Sequence, residues 1–349
     1  MTSVMLAEIL EQPTAISRTL TALRPMADDV RLLAKGRSQV LFAARGSSDN
    51  AAIYGRYLSE VVAGRAAAMV APSVATAYRR RVDLAHALVV CVSQSGETGE
   101  MVETLVWARH CGAATLAVTN VLDSSLAREA DLALVTEAGH EKAIPATKTF
   151  TAQLVAMAIL VKALAPDSKE LSDVERVPEA VAELVRRQAG VAEAVRALLD
   201  RPRTLVTGRG LTYAVAAELA LKLEETCLRP VPGLSCADLQ HGPIAIVDGQ
   251  TAAIVIAPRE GPVLSGLTGL VPDLRSRGAV VVGIGGDARL AQRADIAVAG
   301  PNLPEALSPI GLVVAGQLMA EGLARGLGLD PDKPPGLRKV TQTDVEEGT

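Results

Sequence analysis

The sequence has few aromatic residues, no excess of positive charge and no long hydrophobic run. Aromatics make up only 2% of the 349 residues although apolar residues make up 49%, so the apolar content is mostly Ala, Val and Leu. That composition is typical of buried parallel strands covered by closely packed helices. The length exceeds what one ordinary core requires. We therefore expect an α/β protein with two domains.

Charge and cysteine usage exclude several classes of protein. The net charge is −4 and the Lys and Arg residues are scattered, so no basic surface would attract nucleic acid. The four cysteines have no C-x-x-C spacing and lie in or beside apolar segments, so we interpret them as buried thiols rather than disulfides or metal ligands. They are Cys91, Cys111, Cys227 and Cys236.

The N-terminus and the apolar segments give no sign of export or membrane insertion. Glu8 and Glu11 stand where a signal peptide would need a basic start and an apolar run. Lys162 interrupts the most apolar predicted helix, around residues 152–164. We expect a cytoplasmic protein with no membrane partner.

Short apolar runs alternate with longer helix-compatible stretches in two successive series. Equivalent landmarks recur about 165 residues apart, as Ala44-Arg45-Gly46 does with Gly208-Arg209-Gly210, which indicates a duplicated domain. Strands that alternate with helices in this way predict a parallel sheet in each copy. The first series covers residues 39–44, 87–92, 115–120 and 132–136, and the second covers residues 204–208, 252–257, 279–285 and 295–299.

Three regions follow from this pattern. Residues 1–185 hold N-terminal helices and the first domain, and residues 186–329 hold the second domain. The charged stretch 166–201 has helical spacing, so we expect helices that connect the halves. Residues 330–349 form a tail too rich in Pro and Gly to continue a helix. We expect this tail to be extended and to close the active site.

The segment Ser93-Gln94-Ser95-Gly96-Glu97-Thr98 directly follows a predicted strand and precedes a helix predicted to begin near residues 96–98. Open α/β sheets bind ligands at this edge, and free helix N–H groups with hydroxyls can satisfy a phosphate without Lys or Arg. The alternative is that Ser95 or Thr98 merely caps the helix. We predict binding of a sugar phosphate by Ser93, Gln94, Ser95 and Thr98, completed by Ser47 and Ser48 of the neighbouring loop.

The corresponding turn of the second half reads Pro258-Arg259-Glu260-Gly261-Pro262. It has no hydroxyl, and its two prolines have no N–H group to donate. We therefore expect one phosphate site per chain.

Three groups of residues could move protons or form an imine. Glu218, Lys222 and Glu225 fall on one face of a predicted helix, either as a surface ion-paired stripe or as buried charges suited to proton transfer. His241 stands in a turn bounded by Gly and Pro, where an imidazole could titrate near neutral pH. Lys339 is a solvated charge by default, or an amine that a folded tail would bring to a carbonyl.

Six ordered motifs resemble the sugar isomerase (SIS) domain family, in particular the isomerase half of glucosamine-6-phosphate synthase and the related glucosamine-6-phosphate deaminases. The resemblance runs nearly end to end and implies two tandem SIS domains, each a three-layer, flavodoxin-like αβα sandwich. The motifs are Glu8-Ile9-Leu10-Glu11-Gln12-Pro13, Ser93-Gln94-Ser95-Gly96-Glu97-Thr98, Ala146-Thr147-Lys148, Leu221-Lys222-Leu223-Glu224-Glu225, His241-Gly242-Pro243 and Leu337-Arg338-Lys339.

The resemblance also implies a role for each matching residue. Glu225 would transfer the proton between carbons 1 and 2, and Lys222 would lie near the sugar oxygens. His241 would open the pyranose ring across the interface of a homodimer, and Lys339 would approach the carbonyl carbon. No cofactor and no metal would be required. The residues implied to bind phosphate are Ser47, Ser48, Ser93, Gln94, Ser95 and Thr98.

Departures from the family pattern bear on the substrate and the direction. Arg45, Ala146 and Gln240 stand where the family often has Cys, Ser and Lys, which leaves the sugar open. Thr2 follows Met1 where the synthases carry the Cys of a glutaminase, so we expect the catabolic direction, from glucosamine-6-phosphate and water to fructose-6-phosphate and ammonia. The alternatives are a fructosamine-6-phosphate deglycase, an aldose–ketose phosphate isomerase and, in a different class, a sugar-phosphate sensor.

Overall fold

The computed structural model describes residues 2–339, and this part of the chain forms two five-stranded sheets. The strands of the first sheet are β1 (Gln39–Ala43), β2 (Ala66–Met69), β3 (Ala87–Val92), β4 (Ala114–Thr119) and β5 (Leu132–Val135). Those of the second sheet are β6 (Arg203–Gly208), β7 (Gly233–Ser235), β8 (Thr251–Ala257), β9 (Val280–Gly285) and β10 (Ile296–Val298).

Helices separate most of the strands. In chain order they are α1 (Val4–Leu23), α2 (Ala27–Leu33), α3 (Ser47–Val61), α4 (Pro72–Thr76), α5 (Gly99–His110), α6 (Ser125–Glu129), α7 (Lys148–Leu164), α8 (Val177–Arg187), α9 (Val191–Leu199), α10 (Leu211–Cys227), α11 (Cys236–Gln240), α12 (Leu264–Ser276), α13 (Ala288–Arg293) and α14 (Ser308–Gly326). Helices α8 and α9 correspond to those predicted for the charged stretch.

Both sheets are entirely parallel and have the same strand order. The order in the first sheet is β2-β1-β3-β4-β5. The second sheet, read from the edge strand β7, has the order β7-β6-β8-β9-β10, in which the strands follow the same pattern of second, first, third, fourth and fifth. This is the flavodoxin-like order of a doubly wound sheet, and it confirms the predicted α/β fold. The prediction missed the edge strands β2 and β7, which have only four and three residues.

The central strands are buried on both faces, which explains their continuous apolar runs. Every residue of β3, β4 and β8 is buried, so these strands show no alternation of polar and apolar side chains. Helices α3 and α7 approach closely at a glycine. A Cβ on Gly55 of α3 would lie 2.6 Å from Sδ of Met157 on α7, so a larger residue would not fit there.

The duplication is visible in the backbone as well as in the sheets. Gly46, before α3, has φ 58° and ψ −135°, and Gly210, before α10, has φ 58° and ψ −129°. Only glycine adopts this region without strain. The two landmark glycines found in the sequence therefore make the same turn from the first strand of each sheet into its helix.

The chain divides into two compact units that interleave along the sequence. The N-terminal sheet unit comprises residues 15–140, 148–169 and 338–339, and the C-terminal sheet unit comprises residues 2–14, 141–147 and 170–337. The predicted boundary near residue 185 falls inside the longest stretch of the C-terminal sheet unit. The predicted tail contains no helix or strand from residue 330 to residue 339, and its residues 340–349 lie outside the described part.

The four cysteines are buried and form no disulfide, as the sequence predicts. Burial raises the pKa of the Cys91 thiol from an ordinary value of 9.0 to about 12. Within residues 2–339, every helix is too short or too polar to cross a lipid bilayer.

Candidate functional site

The loop between β3 and α5 draws two of its hydroxyls together. Ser93 is buried, and its Oγ accepts a hydrogen bond from the Gly96 N–H at 3.2 Å. The same Oγ shares a 3.3 Å hydrogen bond with Oγ1 of Thr98. Ser95 Oγ accepts a hydrogen bond from the Glu97 N–H, also at 3.2 Å. The structure thus brings the predicted phosphate ligands to the N-terminus of a twelve-residue helix.

Simple helix capping does not account for Thr98. Helix α5 begins at Gly99, just after the predicted start, and Thr98 is its N-cap residue. The Thr98 side chain makes no capping hydrogen bond, although that bond is what usually favours threonine at this position. The Thr98 hydroxyl instead forms a hydrogen bond with Ser93 Oγ at 3.3 Å, and its role as a phosphate ligand stays a prediction.

The loop conformation depends on Gly96, which has φ 65°. A Cβ at this position would lie 2.2 Å from Ser124 Oγ, so the loop passes directly against the start of α6. The Gly96 carbonyl accepts from the Leu126 N–H at 2.9 Å, and the Gln94 carbonyl accepts from the Asn120 N–H at 3.0 Å. These contacts with the segment after β4 fix the loop.

Glu97 makes a further contact with α6. Its carboxylate accepts from the Ser125 hydroxyl at 2.7 Å and from the Ser125 N–H at 2.9 Å. Both hydrogen bonds lower the pKa of the Glu97 carboxyl, and the bond from the Ser125 hydroxyl has the larger effect. The prediction missed Ser124 and Ser125, because nothing near them in the sequence marks them as neighbours of the loop.

Ser47 and Ser48 form the first turn of α3, after Gly46. Ser48 is buried, and its Oγ accepts a hydrogen bond from Nε2 of Gln153 at 2.9 Å. Gln153 is a buried amide on the apolar helix α7, and sequence reasoning missed it. A side-chain amide in the apolar middle of this helix is the signal that could have found it.

Arg45, which replaces the expected Cys, joins the two loops of this sheet edge. Its guanidinium donates to both carboxylate oxygens of Glu100 in the first turn of α5, at 2.8 and 2.7 Å. The side chain of Arg45 remains 48% exposed. This bidentate ion pair ties the loop after β1 to the first turn of α5.

The corresponding loop of the C-terminal sheet unit has a different character. Arg259 and Glu260 are exposed, and α12 begins at Leu264 without a side-chain cap. Burial and the nearby Glu260 carboxylate raise the pKa of Glu305. Two neighbouring carboxylates disfavour a phosphate here, and one phosphate site per chain stays a prediction.

Helix α10 carries the ionisable cluster, which is buried rather than a surface stripe. The side chains of Glu218 and Lys222 are 0% and 1% exposed, and that of Glu225 is 22% exposed. Lys222 Nζ donates a hydrogen bond to the Glu225 carboxylate and lies 3.6 Å from Glu218 Oε1. Of this buried group, Glu225 alone keeps an exposed edge.

The ammonium of Lys222 is stabilised by carboxylates on more than one element. Burial lowers the pKa of Lys222, whereas Glu218, Glu225 and Glu141 raise it, and the outcome is a pKa above the usual value. Lys222 therefore stays protonated at neutral pH. Glu141 is not on α10, and sequence reasoning gave it no role.

His241 and Lys339 belong to segments other than α10. The His241 N–H donates to the Asp238 carbonyl at 3.1 Å, and the side chain is exposed after α11. No hydrogen bond of the described residues joins its imidazole to Glu225. Lys339 is the last described residue and is half-buried. The roles of Glu225, His241 and Lys339 remain predictions.

Between residues 2 and 339, no three His, Cys, Asp or Glu side chains converge as metal ligands would. Each unit offers its own set of groups: the N-terminal sheet unit has hydroxyls and N–H groups at a helix N-terminus, and the C-terminal sheet unit has a buried Lys with carboxylates. The first set suits an oxyanion, and the second suits the transfer of a proton.

Comparison with known proteins places these features in a family. A model of the SIS domain matches residues 32–163 and 197–323. The glutamine–fructose-6-phosphate aminotransferase [isomerizing] of Symbiobacterium thermophilum is 36% identical over 359 residues, which cover 96% of this chain and 58% of that protein. The chain thus spans less than two thirds of the length of this relative.

Solved structures share the fold. The C-terminal domain of glucosamine-fructose-6-phosphate aminotransferase from Francisella tularensis has a TM-score of 0.87 at 27% identity, covering 96% of this chain and 99% of that one. Glucosamine-6-phosphate deaminase from Thermotoga maritima has a TM-score of 0.80 at 24% identity, covering 98% and 100%. Because the family model matches most of both halves, the chain belongs to the SIS domain family.

Proposed function

We propose that the chain converts glucosamine-6-phosphate and water to fructose-6-phosphate and ammonia. The observation that carries this proposal is the pairing of Glu225 with the buried ammonium of Lys222, while Glu225 keeps an exposed edge. A general base must be both ionised and accessible. The Lys222 ammonium holds the Glu225 carboxylate in place by a hydrogen bond, and the exposed edge allows a substrate carbon to approach.

The proposed steps follow from the chemistry of the side chains. His241 transfers the proton that opens the sugar ring. Glu225 then takes the proton from carbon 2 and returns it to carbon 1, while the carbon 1 oxygen gains a proton and the amine loses one, which leaves a hydroxyl at carbon 1 and a ketimine at carbon 2. Water hydrolyses the ketimine and releases ammonia. Lys339 offers an alternative last step, in which its amine displaces ammonia by transimination and water then releases the ketose.

The phosphate is assigned to the Ser93–Thr98 loop with Ser47 and Ser48. The hydroxyl and N–H groups there are neutral donors at a helix N-terminus, and a hydrogen bond to a charged group contributes about 1.5–3 kcal/mol. Replacing Ser95 with Ala should therefore raise the KM for a phosphorylated sugar about tenfold or more. An unchanged KM would remove Ser95 from the site.

The reverse reaction is a second candidate, because relatives at 33–36% identity are named glutamine–fructose-6-phosphate aminotransferases. The same residues would then return the carbon 1 proton to carbon 2 after ammonia adds to fructose-6-phosphate. Both directions use the same proton transfer, so one pair of assays separates them.

The test is to incubate the purified chain with glucosamine-6-phosphate and measure ammonia and fructose-6-phosphate, then to supply fructose-6-phosphate with ammonia and measure the amino sugar. Glu225→Gln should abolish both reactions. Glu224→Gln is the matched control, because this neighbouring residue is exposed and its carboxylate accepts from the Val231 N–H. Turnover that survives Glu225→Gln contradicts the mechanism.

Other substrates separate the remaining alternatives. Fructosamine-6-phosphate hydrolysis in place of either reaction would identify a deglycase. Aldose–ketose interconversion of sugar phosphates without nitrogen would identify a simple isomerase. Binding of the sugar phosphate without any turnover would instead support a sensor.

We also propose that the chain is a homodimer in which His241 of one subunit serves the site of the other. Equal mixing of Glu225→Gln and His241→Asn subunits should then restore about a quarter of the wild-type activity, because half the dimers are mixed and each has one intact site. No recovery after proven subunit exchange would place His241 and Glu225 of one subunit in the same site.

A further inference from the structure

In the N-terminal sheet unit, the residues assigned to the phosphate are divided between two loops that follow neighbouring strands. Strands β1 and β3 pair in parallel as far as Ala43 and Cys91, so the loops after them leave the sheet side by side. The chain after β1 carries Ser47 and Ser48, and the chain after β3 carries the Ser93–Thr98 loop. Both sets can bind one phosphate together only while the two loops keep a fixed spacing.

Each loop is held by contacts of its own with a different helix. Ser48 Oγ accepts a hydrogen bond from Nε2 of the buried Gln153 on α7 at 2.9 Å. In the loop after β3, the Gly96 carbonyl accepts from the Leu126 N–H of α6 at 2.9 Å. These contacts fix each loop against its own neighbour, but they do not join one loop to the other.

The ion pair between Arg45 and Glu100 does join them. Arg45 lies between β1 and α3, and Glu100 stands in the first turn of α5, directly after the Ser93–Thr98 loop. Nε and Nη2 of the guanidinium donate to the two carboxylate oxygens at 2.8 and 2.7 Å. The Glu100 side chain is only 12% exposed. A bidentate pair of this kind fixes orientation as well as distance, so it fixes the spacing of the two loops.

The second copy of the domain keeps the arginine but lacks its carboxylate partner. Arg209 lies between β6 and α10 at the place of Arg45, and Gly210 repeats the backbone turn of Gly46. The first turn of α12 contains no acidic residue. Arg209 lies against this helix without such a partner, since a Cβ added to Gly266 would be 3.4 Å from its Nη1. The ion pair thus occurs in the copy that carries the hydroxyl-rich loop.

We propose that Arg45 is a positioning residue, whose ion pair with Glu100 holds the two loops at the spacing that binds the sugar phosphate. The inference rests on the proposed function, in particular on the assignment of the phosphate to these loops. Loops that are already held in the bound arrangement lose less conformational freedom when the ligand binds, so the affinity is higher. Arg45 acts through Glu100 and does not need to touch the phosphate.

Single and double variants distinguish an arginine that positions the loops from one that binds the phosphate itself. Glu100→Gln breaks the ion pair but keeps the guanidinium, so a guanidinium that binds phosphate directly would keep or increase the affinity in this variant. Arg45→Gln removes the guanidinium. The double variant breaks the pair and keeps the net charge of the wild type. The proposal predicts weaker binding in all three, and no greater loss in the double variant than in Arg45→Gln, because both break the same pair.

The measurement is the Kd of fructose-6-phosphate, determined by titration calorimetry of the full chain in buffer without ammonia. The Kd should rise about threefold to tenfold in each variant. The KM for the phosphorylated substrate should rise in parallel, with kcat changed less than about twofold. Glu129→Gln is the matched control, because Glu129 of α6 pairs at 3.0 Å with Arg109 in the last turn of α5, at the other end of that helix. This control should keep the wild-type Kd.

Urea unfolding of the same variants separates this role from a purely structural one, which would lower the free energy of unfolding and leave the Kd unchanged. A wild-type Kd in the double variant, or unchanged or tighter binding in Glu100→Gln, overturns the proposal. If the wild-type chain binds fructose-6-phosphate but catalyses neither reaction, the proposed reaction fails and the Kd values still decide this inference. If the wild-type chain binds no sugar phosphate, the phosphate assignment and this inference fail together.

Discussion

Replacing Gly96 with Ala tests the architecture of the phosphate loop directly. Gly96 has φ 65°, where a residue with a Cβ costs about 1–2 kcal/mol. The new Cβ would lie 2.2 Å from Oγ and 2.4 Å from Cβ of Ser124, and 2.8 Å from Oγ1 of Thr119. A change of the Ser124 rotamer cannot relieve the contact with its Cβ, so the loop itself must move.

Overpacking of this kind costs about 1–3 kcal/mol, so the free energy of unfolding should fall by about 2–5 kcal/mol in total. The Gly96 N–H donates to Ser93 Oγ, so displacement of the loop also moves a predicted phosphate ligand. We expect the KM for the phosphorylated substrate to rise at least about tenfold, the equivalent of about 1.4 kcal/mol.

Gly36→Ala is the matched control. Gly36 has φ 76°, and a Cβ added there would meet no atom within 4 Å, so this variant reports the backbone cost without a steric clash. Urea unfolding and KM would be measured for both variants. If Gly96→Ala loses no more stability than Gly36→Ala and keeps its KM, the loop does not have the conformation described.

Three further changes probe other parts of the chain. Asp332 accepts from the N–H groups of Val4 and Met5 at 2.8 and 2.7 Å, so Asp332→Ala should cost about 1–2 kcal/mol in urea unfolding; no loss would show that this cap is dispensable. Burial raises the pKa of Cys91 in the folded state, so as pH rises the thiol ionises in the unfolded chain first. The free energy of unfolding should therefore fall by about 1 kcal/mol between pH 9 and 10. A Cys91→Ala variant with the same slope would contradict this. Gln153→Leu leaves the buried Ser48 hydroxyl without its donor and should lower the free energy of unfolding by about 1–3 kcal/mol. Wild-type stability in chemical denaturation would contradict this prediction.

The features that the sequence predicted correctly are those encoded by local periodicity or by a repeated landmark. The run in β3 is apolar throughout because both faces of the strand are covered. Helical spacing alone put Lys222 and Glu225 on one face. In contrast, β2 reads Ala-Ala-Ala-Met and is half exposed, so neither its composition nor its length distinguishes it from a loop.

The features that the sequence could not predict depend on contacts between distant parts of the chain. Residues 141–147 have no periodicity, and the hydrogen bonds of the Glu8 carboxylate with the N–H groups of Lys142 and Ala143 form only when this segment joins the C-terminal sheet unit. The placement of Ser124 against Gly96 follows from the parallel pairing of β3 and β4. No local pattern encodes either contact.

The interleaving of the two units constrains how the chain can fold and be divided. During synthesis, the C-terminal sheet unit cannot finish folding until residues near 337 emerge, although its residues 2–14 are synthesised first. Its contacts therefore have a high contact order, which slows folding. A fragment that begins at residue 186 would lack the segments that contain Glu8 and Glu141, so truncation at the sequence boundary removes part of the unit that it is meant to isolate.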